Sequence, residues 1–396
     1  MIEAGTRAWW RATAALCLGS FLVFINLYVP QPLLPALRET YGVSTLGVSF
    51  LMSFATLSLA LSLLVFGPLS DAIGRERIMR LTLIAAGVLT LALAFAPNFE
   101  MLLALRLLQG FVLGGLPAVA IAWMGDEFEK PALLSAVGLY IGANSLGGIS
   151  GRVVGGVAAT LGGTAAAFLA VGAITLVGCV LFWRLLPRGR AFVPRRFRLR
   201  LALADLAHHL KTPALLAAYA LGGINFLVFI NQYSYITFRL AAPPYALGAA
   251  ALGLIFLTYL GGTLGSTVSG RLAERFGAAR CMGAGIVILM LGTAVTLCEP
   301  LWLVVAGLVI NAFGFFLCHS LASSWVGRNA QGARGSASAL YLVFYYLGAS
   351  IGGFWLEPFW RFAQWPGVAV GSWLLLGLTL CIALGLCRFE RRAAHQ

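Results

Sequence analysis

Arg106 and Gln109 stand three residues apart in the run LALRLLQG, a spacing that sets a guanidinium and a carboxamide on one face of a helix. The run is otherwise apolar. A cation inside an apolar helix costs several kcal/mol unless it meets water or a partner, so Arg106 reads as a group that binds solute or relays charge. The alternative is an arginine that snorkels toward lipid headgroups. Arg152 is a second such cation. With few acids nearby, the two predict an electropositive cavity suited to anionic or strongly hydrogen-bonding solutes. Arg152 is equally open to a structural role, holding helix-end carbonyls. Histidine ionises near neutral pH, so His319, inside another apolar run, is either a proton-coupling group or a neutral helix contact. Carboxylates are scarce. None of the 13 acids falls in the middle of an apolar run; Glu100 and Glu299 sit at run ends, and Glu357, four residues before Arg361, reads as half of a surface ion pair.

Amides and hydroxyls fill the remaining polar positions. Asn26, Tyr28 and Gln31 lie in NLYVPQPLLP, and Asn144, Asn225, Asn231, Gln232, Tyr233, Asn311 and Tyr345 are scattered over other apolar runs. Each can bind solute or make an interhelical hydrogen bond worth about 0.6 kcal/mol. The first run offers no carboxylate as counter-charge to a cationic solute. There is no G-x-x-x-x-G-K-[ST] phosphate cradle and no cluster of His, Asp or Glu for a metal or a nucleophile, so an enzyme, a cofactor and a metal site are not expected. The seven cysteines form no C-x-x-C and read as small apolar packing residues.

These groups must be positioned by membrane helices. Of 396 residues, 60% are hydrophobic and 10% charged, too few charges to cover a soluble globule, which carries about 25%. Apolar runs of the length a bilayer requires fall at 12–35, 45–69, 78–96, 99–124, 133–158, 164–186, 213–239, 246–269, 281–298, 301–325, 336–358 and 367–387. The reading is an all-α membrane protein of twelve transmembrane helices. Its net charge of +14 is topological rather than a nucleic-acid footprint: 22 of the 27 Lys and Arg fall on the side of the N-terminus, three (Arg38, Arg239, Arg361) on the other, and two (Arg106, Arg152) within spans. Both termini are therefore expected in the cytoplasm. The N-terminus, with Arg7 and Arg11 before a long apolar run lacking a small-x-small cleavage site, is read as the first span rather than a signal peptide.

The chain divides into 1–186, a linker at 187–212, and 213–396. The linker run LRLALADLAHHL has helical spacing and basic flanks, suited to the membrane surface. The flanking parts repeat each other. GPLSDAIGRER from Gly67 aligns with GRLAERFGAAR from Gly270 at an offset of 203, pairing Gly67, Asp71, Gly74 and Arg77 with Gly270, Glu274, Gly277 and Arg280. Trp123 and Gly125 match Trp325 and Gly327 at 202, and Gly147 and Gly151 match Gly348 and Gly352 at 201. Drifting offsets at separate sites imply two pseudo-symmetric six-helix bundles, related by an axis along the membrane normal. The motif glycines suit close helix approach and tight turns, and Asp71, Arg75 and Arg77 can form ion pairs that hold one conformation and break in another. The alternative is a basic loop that only sets topology.

The loop motif G-x-L-x-D-x-x-G-R together with the span-four signature R-x-x-Q-G, met by Arg106, Gln109 and Gly110, resembles the major facilitator superfamily, in particular its twelve-span drug:proton antiporters. CHSLASSWVG from Cys318 and YLVFYYLGASIGG from Tyr341 are similar to the YnfM-like inner-membrane efflux proteins. The fifth span departs from the antiporter pattern: Gly138 and Gly142 fit a G-x-x-x-G-P run, but Ala143 stands at the proline position. The resemblance implies the major facilitator fold in a bacterial inner membrane. It implies a secondary active transporter, a monomer with a small-molecule substrate and protons as its partners. Such a protein would export a drug, sugar or organic-acid-like solute by alternating access in exchange for protons. An uncoupled facilitator or a lipid flippase on the same fold remains the alternative. Cavity-lining candidates are Asn26, Tyr28, Gln31, Arg106, Gln109, Asn144, Arg152, Asn225, Tyr233 and His319, with Arg106 and His319 as proton-coupling groups. Gate candidates are Gly67, Asp71, Gly74, Arg75, Arg77, Asp126, Gly270, Glu274, Gly277 and Arg280. Asp126 either joins the relay with Arg75 or is a solvated acid beside Glu127.

Overall fold

A computed structural model describes residues 1–189, 206–330 and 334–394. Helices account for nearly all of them, and the sole pairing of extended backbone among them is an isolated bridge between Ile2 and Phe128. The helices are α1 (Arg7–Tyr28), α2 (Leu34–Tyr41), α3 (Thr45–Ile73), α4 (Arg75–Leu93), α5 (Phe99–Leu113), α6 (Gly115–Glu127) and α7 (Lys130–Leu185). They continue as α8 (Pro213–Ala241), α9 (Ala249–Ile255), α10 (Tyr259–Phe276), α11 (Ala278–Val295), α12 (Leu301–Asn329) and α13 (Arg334–Ala394).

Nine helical stretches of the described residues are long and apolar enough to cross a membrane. Two of them, Ser135–Leu185 and Gly335–Glu390, run to 51 and 56 residues. At about 1.5 Å per residue each is more than twice the hydrocarbon thickness. Each contains a break in helical backbone, at Gly162–Gly163 and at Ala363–Gln364. Each therefore supplies two crossings. α4 is the remaining one, kept out of the nine by Arg75, Glu76, Arg77 and Arg80 in its opening turns. The described residues thus supply twelve helical crossings, consistent with the all-α membrane architecture expected from sequence.

Local chemistry explains the element ends. Thr6, Ser44 and Asn98 cap α1, α3 and α5, their side chains accepting from Trp9 N, Gly47 N and Met101 N. Pro30 and Pro32 interrupt the first crossing. Lacking N–H groups, they force a 3-10 turn at Gln31–Leu33 before α2 resumes, so this crossing extends to Tyr41, past the boundary expected from hydropathy.

The repeated motif is also not the loop expected from sequence. α3 continues through Pro68 to Ile73, and Gly74 alone, at φ +103°, turns the chain into α4. In the second half α10 ends at Phe276, Gly277 at φ +90° makes the turn, and α11 begins at Ala278. Gly74 and Gly277 thus have the conformational role predicted for them. Gly67 and Gly270 do not, because a Cβ at either would meet no atom within 4 Å. Close approach is made instead by Gly147 and Gly151 of α7, which lie against the backbone of Phe21 and Ile25 in α1.

Two compact units result. One gathers the described residues of 1–197 with Leu247–Phe256; in it α1 and α4 pack on α7, α3 on α5, and α9 on α7. The other gathers the described residues of 198–246 with those from 257 on; in it α13 packs on α8, and α10 and α11 on α12. Most of the linker run LRLALADLAHHL, up to residue 205, lies outside the described residues.

Candidate functional site

Arg106 is fully enclosed, at 0% exposure. Its Nε donates to Leu51 O at 3.0 Å, Nη1 to Asn26 O at 3.3 Å and Nη2 to Leu27 O at 2.9 Å; Nη1 also donates to Gln109 Oε1. The carbonyls are available for a sequence reason. The fourth residue after Asn26 is Pro30, which has no N–H, so Asn26 O is left without its helical donor and Arg106 takes it. The C-terminal carbonyls of α1 also carry partial negative charge, which suits a cation. No carboxylate is in contact with the guanidinium among the described residues.

Around this cation is a knot of amides and hydroxyls from four helices. Gln109 Nε2 donates to Thr90 Oγ1 at 2.6 Å, and the Thr90 hydroxyl also meets Asn26 Oδ1. Asn26 Nδ2 donates to Thr175 Oγ1 at 2.7 Å and to Leu22 O at 2.6 Å. The sequence pointed to Asn26, Arg106 and Gln109; it gave no sign of Thr90 or Thr175, which lie unmarked within apolar runs.

The second half contains a matching knot. Asn311 Nδ2 donates to Gln232 Oε1 at 2.8 Å and to Thr293 Oγ1 at 3.0 Å, and Gln232 Nε2 donates to Thr293 Oγ1 at 3.1 Å. Thr293 and Asn311 correspond to Thr90 and Gln109 at offsets of 203 and 202. The hexapeptide FLVFIN, at 21–26 and again at 226–231, carries the repeat into α1 and α8. That identity is visible in the sequence and was the signal to look for. Asn231 donates to Leu227 O as Asn26 does to Leu22 O. Where the first half has Arg106, the second has Leu308, whose carbonyl accepts from Tyr233 Oη at 3.0 Å.

Arg152, 1% exposed, is held apart from that knot. Its guanidinium lies between the rings of Tyr28 and Phe256, 4.0 and 4.4 Å from their centroids, while Nε donates to Gln31 Oε1 at 2.8 Å and Nη1 to Gly148 O at 2.9 Å. Tyr28 and Gln31 are thereby gathered with Arg152, but in this structure Arg106 and Arg152 are both enclosed rather than open to a cavity. Asn144 accepts from Ser20 Oγ. Asn225 Nδ2 donates to Cys318 Sγ at 3.3 Å, and its buried Oδ1 has no partner among the described residues. His319 Nδ1 meets Tyr341 Oη at 2.9 Å, and its ring stacks on Phe315. Around it Phe226 and Tyr345 stack at 3.5 Å and Phe229 and Phe315 at 3.9 Å, an aromatic cluster that the sequence reading did not assemble.

At the motif end of the first half, Arg75 Nε pairs with Asp126 Oδ2 at 2.6 Å and Nη2 with Asp71 Oδ1 at 3.2 Å, so one arginine joins α3, α4 and α6. Arg77 makes no ion pair among the described residues. The second half cannot build the same triad, having Ala278 at the place of Arg75 and Arg328 at the place of Asp126. Those two residues and Glu274 line a cavity of about 430 Å³. Glu390 also lines it, accepting from Trp325 Nε1 at 2.8 Å and from Ala279 N at 3.3 Å, which caps the start of α11. Glu274 and Arg280 make no ion pair among the described residues.

One expectation needs correcting. Glu357 and Arg361 do pair, at 2.9 Å, but this is not a surface contact for the acid: Glu357 is 5% exposed and its Oε2 accepts from Tyr235 Oη at 2.8 Å.

A sequence profile of the Major Facilitator Superfamily matches residues 16–353. The chain is 37% identical over 395 residues to the uncharacterized MFS-type transporter YybF of Bacillus subtilis, covering 100% of this chain and 97% of the relative. It is 36% identical over 391 residues to the inner membrane transport protein YnfM of Escherichia coli, covering 99% and 93%. Among solved structures, the nucleoside transporter NupG superposes with a TM-score of 0.75 at 14% identity, covering 95% of this chain and 99% of that one. A bacterial homologue of the human lysosomal transporter Spinster superposes at 0.74 and 18% identity, covering 98% and 97%. At such identities these two structures speak for the fold alone.

Proposed function

The chain belongs to the major facilitator superfamily and is a multi-pass membrane transporter of that type; from this premise we propose that it exports a small drug-, sugar- or organic-acid-like solute in exchange for protons. It does so as a monomer in a bacterial inner membrane, with both termini cytoplasmic. Support for the location comes from the name of the Escherichia coli relative, and for the orientation from the lysine and arginine distribution. The observation that carries the reading is Arg106. Both halves build a knot on a repeated pair, Thr90 with Gln109 and Thr293 with Asn311, and the first half alone sets a guanidinium beside it, where the second has Leu308. A charge that helix packing does not require is retained for solute or proton handling.

The proposed cycle is one of alternating access. The Asp71–Arg75–Asp126 triad fastens the cytoplasmic ends of α3, α4 and α6 in one state and parts in the other. Solute is recognised by Arg106 with Asn26 and Gln109, and by His319 with Asn225 across the aromatic cluster. Arg152, seated on Tyr28 and Phe256, steadies the side opposite the triad.

One observation favours a second reading, an uncoupled facilitator or flippase: among the described residues no carboxylate touches Arg106. Proteoliposomes with an entrapped pH dye separate the two. A library of amphipathic and anionic solutes is expected to yield at least one that drives proton flux. Solute movement with no proton flux and no dependence on a pH gradient would establish the facilitator.

A further inference from the structure

Glu357 is a buried acid that this cycle leaves unused. It sits in the first crossing of α13, one residue before Pro358 and a turn and a half before the break at Ala363–Gln364. Its two oxygens face different surroundings. Oε2 accepts from Tyr235 Oη, on α8, whose ring is fully buried against Trp360 at 5.5 Å. Oε1 accepts from Arg361 Nε at 2.9 Å, and the Arg361 side chain is 67% exposed. Tyr235 and Arg361 are the titratable or charged groups in contact with the carboxylate among the described residues. One oxygen therefore looks into the protein while the other holds an arm that reaches out of it.

An ion pair that merely braces a helix needs neither this burial nor a phenol from another helix. The duplicated architecture does not ask for it either. At the offset of 201 that relates these helices, the first half has Gly156. Two hydrogen bonds hold the carboxylate, one from the buried Tyr235 and one from a side chain with most of its surface exposed.

We infer that Glu357 is a proton-binding carboxylate of the transport cycle: a proton entering past Arg361 binds Oε1, the ion pair opens, and Tyr235 keeps the neutral acid in place. The inference rests on the proton-exchange reading above, and it adds the group that carries the proton.

The test uses protons alone as probe. Infrared difference spectra of the reconstituted full-length protein between neutral and acidic pH, with no solute present, are expected to contain the C=O band of a carboxylic acid shielded from water. The band should vanish in Glu357→Gln and persist in Glu100→Gln, an exposed acid. Should Glu357→Gln fail to fold, Tyr235→Phe keeps the carboxyl and is expected to shift the band by removing its hydrogen-bond donor. A band absent from the wild type, or unchanged in both Glu357→Gln and Tyr235→Phe, would overturn the inference. Failure of the exchange reading looks different: the wild type shows the band, yet no solute in the library moves protons.

Discussion

The two halves solve one packing problem with the same parts and then diverge. In the first, Asn26, Thr90 and Gln109 link α1, α4 and α5; in the second, Gln232, Thr293 and Asn311 link α8, α11 and α12. Amides and hydroxyls join three helices in each half, with Asn311 Oδ1 alone of these knot atoms left without a partner among the described residues. Arg106 is the exception, replaced by Leu308 in the other half. A guanidinium there must be satisfied by three backbone carbonyls, one of them released by Pro30. The motif ends differ in a similar way: one half ties three helices with Arg75, and the other leaves a cavity between Ala278 and Arg328. Shared elements hold the fold, and the unshared ones are where function is to be sought.

Exchanging residues between the halves tests that division. The largest effect is expected from Arg106→Leu, which installs the second half's own residue. Transport should fall by about 100-fold, the equivalent of about 3 kcal/mol for hydrogen bonds to a charged group, while the protein still reaches the membrane. Near-normal flux would mean the guanidinium is only packing. Next comes Asp126→Asn. Losing one arm of a partly exposed triad should raise labelling of cysteines introduced beside Arg75 by several-fold, about 1 kcal/mol. Glu274→Gln, which breaks no ion pair, should leave labelling in the second half unchanged.

Thr90→Val and Thr293→Val should each cost about 0.6 kcal/mol in thermal unfolding, with transport reduced only by the former. Equal loss of transport in both would dissolve the distinction between the knots. The smallest contrast is conformational. Gly74→Ala and Gly277→Ala should destabilise by about 1 kcal/mol because of their positive φ, whereas Gly67→Ala and Gly270→Ala should be silent in the same melting curves.

Much of the fold could be read from composition and repetition. Apolar runs give the crossings and the offsets give the two bundles, because membrane burial and duplication leave marks along the chain itself. At the candidate site, Arg106 and Gln109 were legible since a charge in an apolar run stands out. Thr90, Thr175 and Thr293 were not, because a threonine satisfied by its own helix and one joining three helices look alike in sequence. Which it becomes depends on how the helix is rotated against its neighbours. Glu357 was misjudged for a related reason. The spacing to Arg361 is local and visible, but Tyr235 arrives from 122 positions away, and that partner takes the acid off the surface. The role of Pro30 was hidden too, because it acts on a carbonyl four residues earlier, for the benefit of a side chain on another helix.

The single-residue joints at Gly74 and Gly277 have a mechanical consequence. Two helices meeting at one residue share a single pair of torsions and no slack, so within each half they behave as the limbs of a short elbow. A shift of one limb's end at the joint must carry the other's end with it, while the torsions leave each limb free to tilt. Lengthening the joint by a few flexible residues would turn that elbow into a tether, and displacement of the first limb would no longer steer the second.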